Sequence, residues 1–231
     1  MERFFPVHLL KSSFQVLKTQ NGLVLVGINL GYMLVFGIIN LLAGLIIFGP
    51  ATLLLHGQSI LIWIVLPFLS LVFAILMTGL TICVQYLVFL GLYRMDQNLS
   101  PMLSIEIIQK EGDRFKLYVE SIARAILEVV LGLVFLIIPG VILLLKYILI
   151  GPVAIFQYTP QLSAQDVLAK SSDLTHTHRQ HLGYLLLGAI ALYLLSSFIL
   201  GGLFTRIILA PLLLTFLAIV LVKYYQMVLK D

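Results

Sequence analysis

Residues 122–158 read IARAILEVVLGLVFLIIPGVILLLKYILIGPVAIFQY, and the fold turns on how this stretch is divided. As one helix it would be about 56 Å long at 1.5 Å per residue, nearly twice the roughly 30 Å of a bilayer's hydrocarbon. Pro139 removes a backbone donor and Gly140 tolerates positive φ, so Pro139-Gly140 suits a tight turn. Two spans result, 122–138 and 141–158. A single kinked helix in their place would leave five spans, with the chain ends on opposite sides.

Four more apolar stretches lie outside this one, at 22–48, 62–93, 182–200 and 207–229. The first stops before Gly49-Pro50. The second is long enough to need a kink or a start at Pro67, with Trp63 at the interface. The expectation is an all-α, single transmembrane domain over residues 1–231, with six helices arranged as three hairpins. Composition agrees: 61% of residues are hydrophobic and 10% charged, where a soluble domain carries about a quarter charged. Such a chain cannot cover its surface with polar groups, so its solvent is lipid, and little length is left for a soluble catalytic module. Cys83 is the sole cysteine, which excludes an intrachain disulfide and reads as a packing residue. The first eighteen residues mix polar and apolar types, so the first span reads as uncleaved.

Twelve of the fourteen Lys and Arg residues fall in 1–21, 94–124, 159–181 and 223–231. That bias places both termini in the cytoplasm, leaves Arg206 on the opposite side and puts Lys146 inside a span. The net charge of +4 is then a match for anionic lipid headgroups, not nucleic acid.

Each inside segment reads as a short amphipathic interfacial helix leading into a hairpin. Residues 4–18 align Leu9, Leu10, Phe14 and Leu17; Ser100-Pro101 offers an N-cap and a first helical position; Ser163 to Asp166 has capping-box spacing. Lys11, Lys110 and Lys170 each stand twelve residues before Leu23, Ile122 and Leu182, and Lys11-Ser12-Ser13 matches Lys170-Ser171-Ser172. This spacing is that of a threefold pseudo-repeat, although basic amphipathic links between hairpins read the same way.

Glu128 and Lys146 are the ionisable residues within spans. An intramembrane charge is a functional candidate by default. Glu120, Arg124 and Glu128 follow at i, i+4 and i+8, so Arg124 can also pair with both acids at the membrane edge. With a turn at Pro139-Gly140, Lys146 lies two helical turns in from the outer face. There it either snorkels outward or, with Arg206, meets an anionic headgroup or solute. His176, His178 and His181 do not share a helical face, and no metal or other cofactor is implied. Gly27 and Gly31 form a G-x-x-x-G read as an intramolecular helix contact, Asn40, Gln85 and Gln157 read as interhelical hydrogen bonders, and Gly151-Pro152 loosens the fourth span.

Ile138-Pro139-Gly140, Gly151-Pro152-Val153, Ser163 with Leu168, and Lys170-Ser171-Ser172 with Leu174-Thr175 form a pattern across a turn, a span and a loop. With residues 97–103 and the tyrosine-rich last span, this half of the chain resembles the uncharacterised YciC-like family of bacterial inner-membrane proteins. That family is related in this region to the membrane domain of some glycerophosphodiester phosphodiesterases. The resemblance implies a multi-pass protein of the bacterial cytoplasmic membrane and a tilt toward lipids. It supplies no activity and no catalytic residues.

No nucleophile elbow, zinc-hydrolase helix or phosphate-binding loop appears in the sequence. The expectation is a non-enzymatic protein that binds membrane lipids or a protein partner, itself included, in envelope maintenance. The alternative is a small transporter or channel for an anionic or amphipathic solute.

Overall fold

A computed structural model describes residues 5–43, 60–135, 137–177, 179–200 and 209–229. These residues form ten helices: α1 (Phe5–Leu17), α2 (Gln20–Ala43), α3 (Ile60–Asp96), α4 (Ile105–Lys110), α5 (Gly112–Phe135), α6 (Ile137–Lys146), α7 (Ile150–Phe156), α8 (Ala164–His176), α9 (Arg179–Leu200) and α10 (Ala210–Val228). Among the described residues, four stretches are long and apolar enough to cross a membrane: Gln20–Ile39, Ser70–Asp96, Ile138–Phe156 and Ala210–Val228. Leu34, Ile38, Phe68, Leu76, Leu187 and Leu195 point outward from α2, α3 and α9. In water so much exposed apolar surface would drive association; in hydrocarbon it is the expected outer surface. The chain is a helical membrane protein.

Helices α3, α7 and α10 pack on one another at the centre. One ring from each closes that contact: Tyr93 to Phe156 with centroids 5.3 Å apart, and Phe156 to Tyr225 at 5.6 Å. Farther along, Asn29 Nδ2 donates to Thr215 Oγ1 at 2.8 Å and Gln85 Nε2 donates to Asn29 Oδ1 at 3.3 Å. This trio ties α2, α3 and α10 together by satisfying polar groups where water is absent.

The short helices turn their apolar sides to protein. Helix α1 buries Leu9 and Ser13 and packs on α10, while Phe14 stays exposed beneath the Lys18 ammonium at 4.6 Å. Helix α8 buries Val167, Leu168, Ser171 and Thr175 against α5 and α7, and its outer side carries Asp166, Lys170 and Asp173.

Ser163 and Asp166 make the expected capping box: the Asp166 amide donates to Ser163 Oγ at 3.2 Å, and the Ser163 amide donates to Asp166 Oδ2 at 3.0 Å. Ser163→Ala should cost about 1 kcal/mol, visible as earlier thermal unfolding in detergent. The Ser163 hydroxyl, and then its amide, hold the Asp166 carboxyl below its ordinary range. Because the folded pKa is the lower one, this contribution is present above the ordinary carboxyl range and is lost as pH falls through the folded value. Asp166→Asn should therefore flatten the acid limb of the stability profile, read by the same unfolding measurement across pH.

Several expectations change. Helix α5 ends at Phe135 and α6 begins at Ile137, so Pro139 and Gly140 are helical and do not form the turn. Pro139 is the third residue of α6, where an amide has no intrahelical acceptor, so its missing N–H costs nothing. Gly140 instead provides close approach: a Cβ on Gly132 would stand 3.1 Å from the Gly140 Cα. The N-cap before the 105–110 helix is Ser104, which accepts from the Ile107 amide, while Ser100 accepts from the Met102 amide in the preceding loop. Gly27 and Gly31 are exposed, and a Cβ on either would meet nothing within 4 Å among the described residues, which show no close helix contact there.

Candidate functional site

The close approach of Gly132 and Gly140 sets the level of every residue on α5 and α6. Tyr147 comes opposite Glu128, and its hydroxyl donates to the Glu128 carboxylate. Arg124 pairs with Glu120 at 2.8 Å, both side chains about half exposed, so such a pair stabilises little. Lys146 ends α6, and its Nζ lies 5.3 Å from the Tyr147 ring centroid. Glu128 and Lys146 thus meet through Tyr147. Lys146 stands nine residues after the start of α6, where its carbonyl meets α8. Arg206 lies outside the described residues, as do His178 and the side chain of Asn40.

The chain breaks between Lys146 and Ile150. The Ile150 amide donates to the Tyr147 carbonyl, leaving the Lys146 carbonyl without its helical donor. Ser171 Oγ and Thr175 Oγ1 of α8 supply donors at 3.0 and 3.2 Å. Tyr224 donates to the Leu174 carbonyl at 3.1 Å, and Gly151 presents its bare face to the Phe89 ring. Gly151, Ser171, Leu174 and Thr175, singled out by sequence pattern, therefore converge around this break. Replacing both hydroxyls (Ser171→Ala with Thr175→Val) should cost about 2 kcal/mol by leaving a carbonyl of the core unpaired. Resistance to unfolding by sodium dodecyl sulfate would show it.

Two features went unread in the sequence. The first is Arg114, whose guanidinium carbon lies 4.6 Å from the Tyr93 ring centroid and 5.1 Å from that of Tyr158, while Nη1 meets Glu111 Oε2 at 2.5 Å. It fastens α5 to α3 and to the chain after α7. Its partners come from distant segments, so no local pattern marks it.

The second is a groove of about 410 Å³ between α1, α9 and α10. Its walls are apolar: Leu9 and Leu10 contribute from α1, Ala189 and Leu192 from α9, and Phe216 and Val220 from α10. His181 belongs to the lining in the first turn of α9, beside Arg179 and Gln180. From His181 to Leu192 on α9, and from Leu213 to Tyr224 on α10, the lining runs about 16 Å, one leaflet of hydrocarbon. Gly188 and Ala189 leave the space on α9 that a larger residue would fill. That small pair was the available signal, but it has meaning only once α9 is placed beside α10.

The site is thus an apolar, leaflet-deep groove with one polar end in a helical membrane protein. No protein-family model, curated protein or solved structure matches the chain.

Proposed function

We propose that this is a non-enzymatic protein of the bacterial cytoplasmic membrane that holds the acyl chain of a membrane lipid in the groove between α1, α9 and α10. The carrying observation is the groove's shape: apolar walls, one polar end and a depth of one leaflet. Arg179, two residues before His181, has a buried Nε without a hydrogen-bond partner among the described residues, and Lys11 follows the lining residue Leu10 in α1. These cations favour an anionic headgroup over the groove. The six apolar segments enter the membrane as three hairpins, α2–α3, α5–α6 and α9–α10, each preceded by a short helix on the charged side, where both termini lie. Membrane lipids are the partners in this reading, nucleic acid is not, and the outward Gly27 and Gly31 leave a homo-oligomer open to test by crosslinking. The resemblance to the YciC-like family fits the location and the tilt toward lipids.

The transporter reading draws on the broken helix at Lys146. Two hydroxyls of α8 cap the carbonyl at that break, so it is bonded within the protein and not turned toward a solute.

A photoreactive phospholipid tests the proposal. Crosslinks should map to α9 and α10 and fall about tenfold in Ala189→Trp, equivalent to about 1.4 kcal/mol of lost affinity. Ile190→Trp, on the outward side of α9, should leave them unchanged. Equal labelling of both variants would sink the groove as the site.

A further inference from the structure

We infer that the α5–α6 hairpin dips into one leaflet of the bilayer and turns back without crossing it. The partner of its outer surface is the hydrocarbon of the leaflet on the charged side.

The reasoning starts from what each level of the hairpin shows to its surroundings. Near the turn the described outward residues are apolar, and Val134 and Ile138, on either side of it, are each 74% exposed. Leu127, Leu131, Val141 and Leu144 continue this surface down both arms. It ends at one level on both: Glu128 on α5 and Lys146 on α6, joined through Tyr147. Below that level the outward side of α5 carries Asp113, Lys116, Glu120 and Arg124.

Length decides what this surface can do. Glu128 lies seven residues before Phe135, and Lys146 nine residues after Ile137. The apolar arms therefore reach about 10–14 Å, against roughly 30 Å of hydrocarbon. Crossing would require the lower half of α5 to stand in lipid with four ionisable residues outward, and such residues are rare on lipid-facing surfaces.

By length and composition Ile138–Phe156 can cross. The break after Lys146 changes its meaning. Its second half, α7, has Ile150 to Ile155 entirely buried in protein and offers lipid no surface. The break is capped by α8, whose outer side carries Asp166, Lys170 and Asp173. Polar surface on α8 fixes the level of Lys146 at the edge of the hydrocarbon. Helices α2 and α3 differ, since outward apolar residues on α2 run from Leu23 to Ile38, about 22 Å.

A hairpin that dips and a hairpin that crosses twice leave the chain ends on the same side, so terminus mapping does not separate them. Depth does. Spin labels at single cysteines in a Cys83→Ala chain, reconstituted in phosphatidylcholine–phosphatidylglycerol vesicles, would be read by relaxation with oxygen and with an aqueous nickel chelate. Depth should rise steadily from Leu127 through Leu131 to Val134, and from Leu144 through Val141 to Ile138, with both tip labels deepest and shielded from nickel. The inference is overturned if the tip labels are open to nickel, whether the mid-arm labels are then deepest or are open too. Val134 and Ile138 are so exposed that labels there displace no packing, and each serves as a check on the other. Lipid retention in the groove is a separate readout, so failure here leaves the groove proposal standing.

Discussion

Gly140→Ala is expected to lower stability by about 3 kcal/mol, the upper end of the usual overpacking range. A Cβ there would stand 2.7 Å from the Leu133 backbone nitrogen and 2.5 Å from Leu133 Cδ2. The side chain can turn aside, but the backbone cannot without separating α5 from α6. A Cβ on Gly132 of the facing helix would stand 3.1 Å from the Gly140 Cα, so the approach is tight from both sides. Gly188→Ala is the contrast, because a Cβ there meets nothing within 4 Å. It should hold or gain stability, since alanine is the better helix former by up to about 1 kcal/mol. Titration with sodium dodecyl sulfate, followed by circular dichroism, compares the two. A Gly140→Ala chain as stable as the parent would mean that α5 and α6 do not meet as described.

Arg114→Ala should cost about 3 kcal/mol, the low end for removing one partner of a buried ion pair. The low end applies because the Glu111 side chain remains 29% exposed and regains some water, while that of Arg114 is 12% exposed. The substitution also removes the cation from between the Tyr93 and Tyr158 rings and loosens the contact of α5 with α3. Tyr86 still donates to the Glu111 carbonyl at 3.1 Å, so the C-terminal end of α4 keeps one tie. Arg114→Lys restores the charge but not the flat guanidinium, and should recover less than half of the loss. Equal stability of the lysine variant and the parent would show that charge alone matters.

Much of the fold was legible because apolar length is a strong signal. The long apolar segments, the Ser163–Asp166 box and a break near Gly151-Pro152 all rest on local chemistry, and the structure shows the helices, the box and the break. The turn of the central hairpin was not legible in the same way. Proline tolerates both a turn and the first turn of a helix, and only Gly140 packing on Gly132 separates the two. That shift of a few residues moves Lys146 to the level of α8 and puts Tyr147 opposite Glu128. Gly27 and Gly31 find no close partner among the described residues for a related reason: spacing shows that two glycines share a face, not which way the face looks. Gln85 was read as an interhelical hydrogen bonder and bonds to Asn29 as one. Arg114 and the groove depend on segments far apart in sequence, so no local pattern could reveal them.

The groove is the centre of the functional reading, and native mass spectrometry of the detergent-purified chain tests it most directly. The expected result is one phospholipid per chain that survives delipidation in the parent and in Ile190→Trp and is lost in Ala189→Trp. A parent that carries only loosely held bulk lipid, or an Ala189→Trp chain that keeps the same lipid, would contradict it.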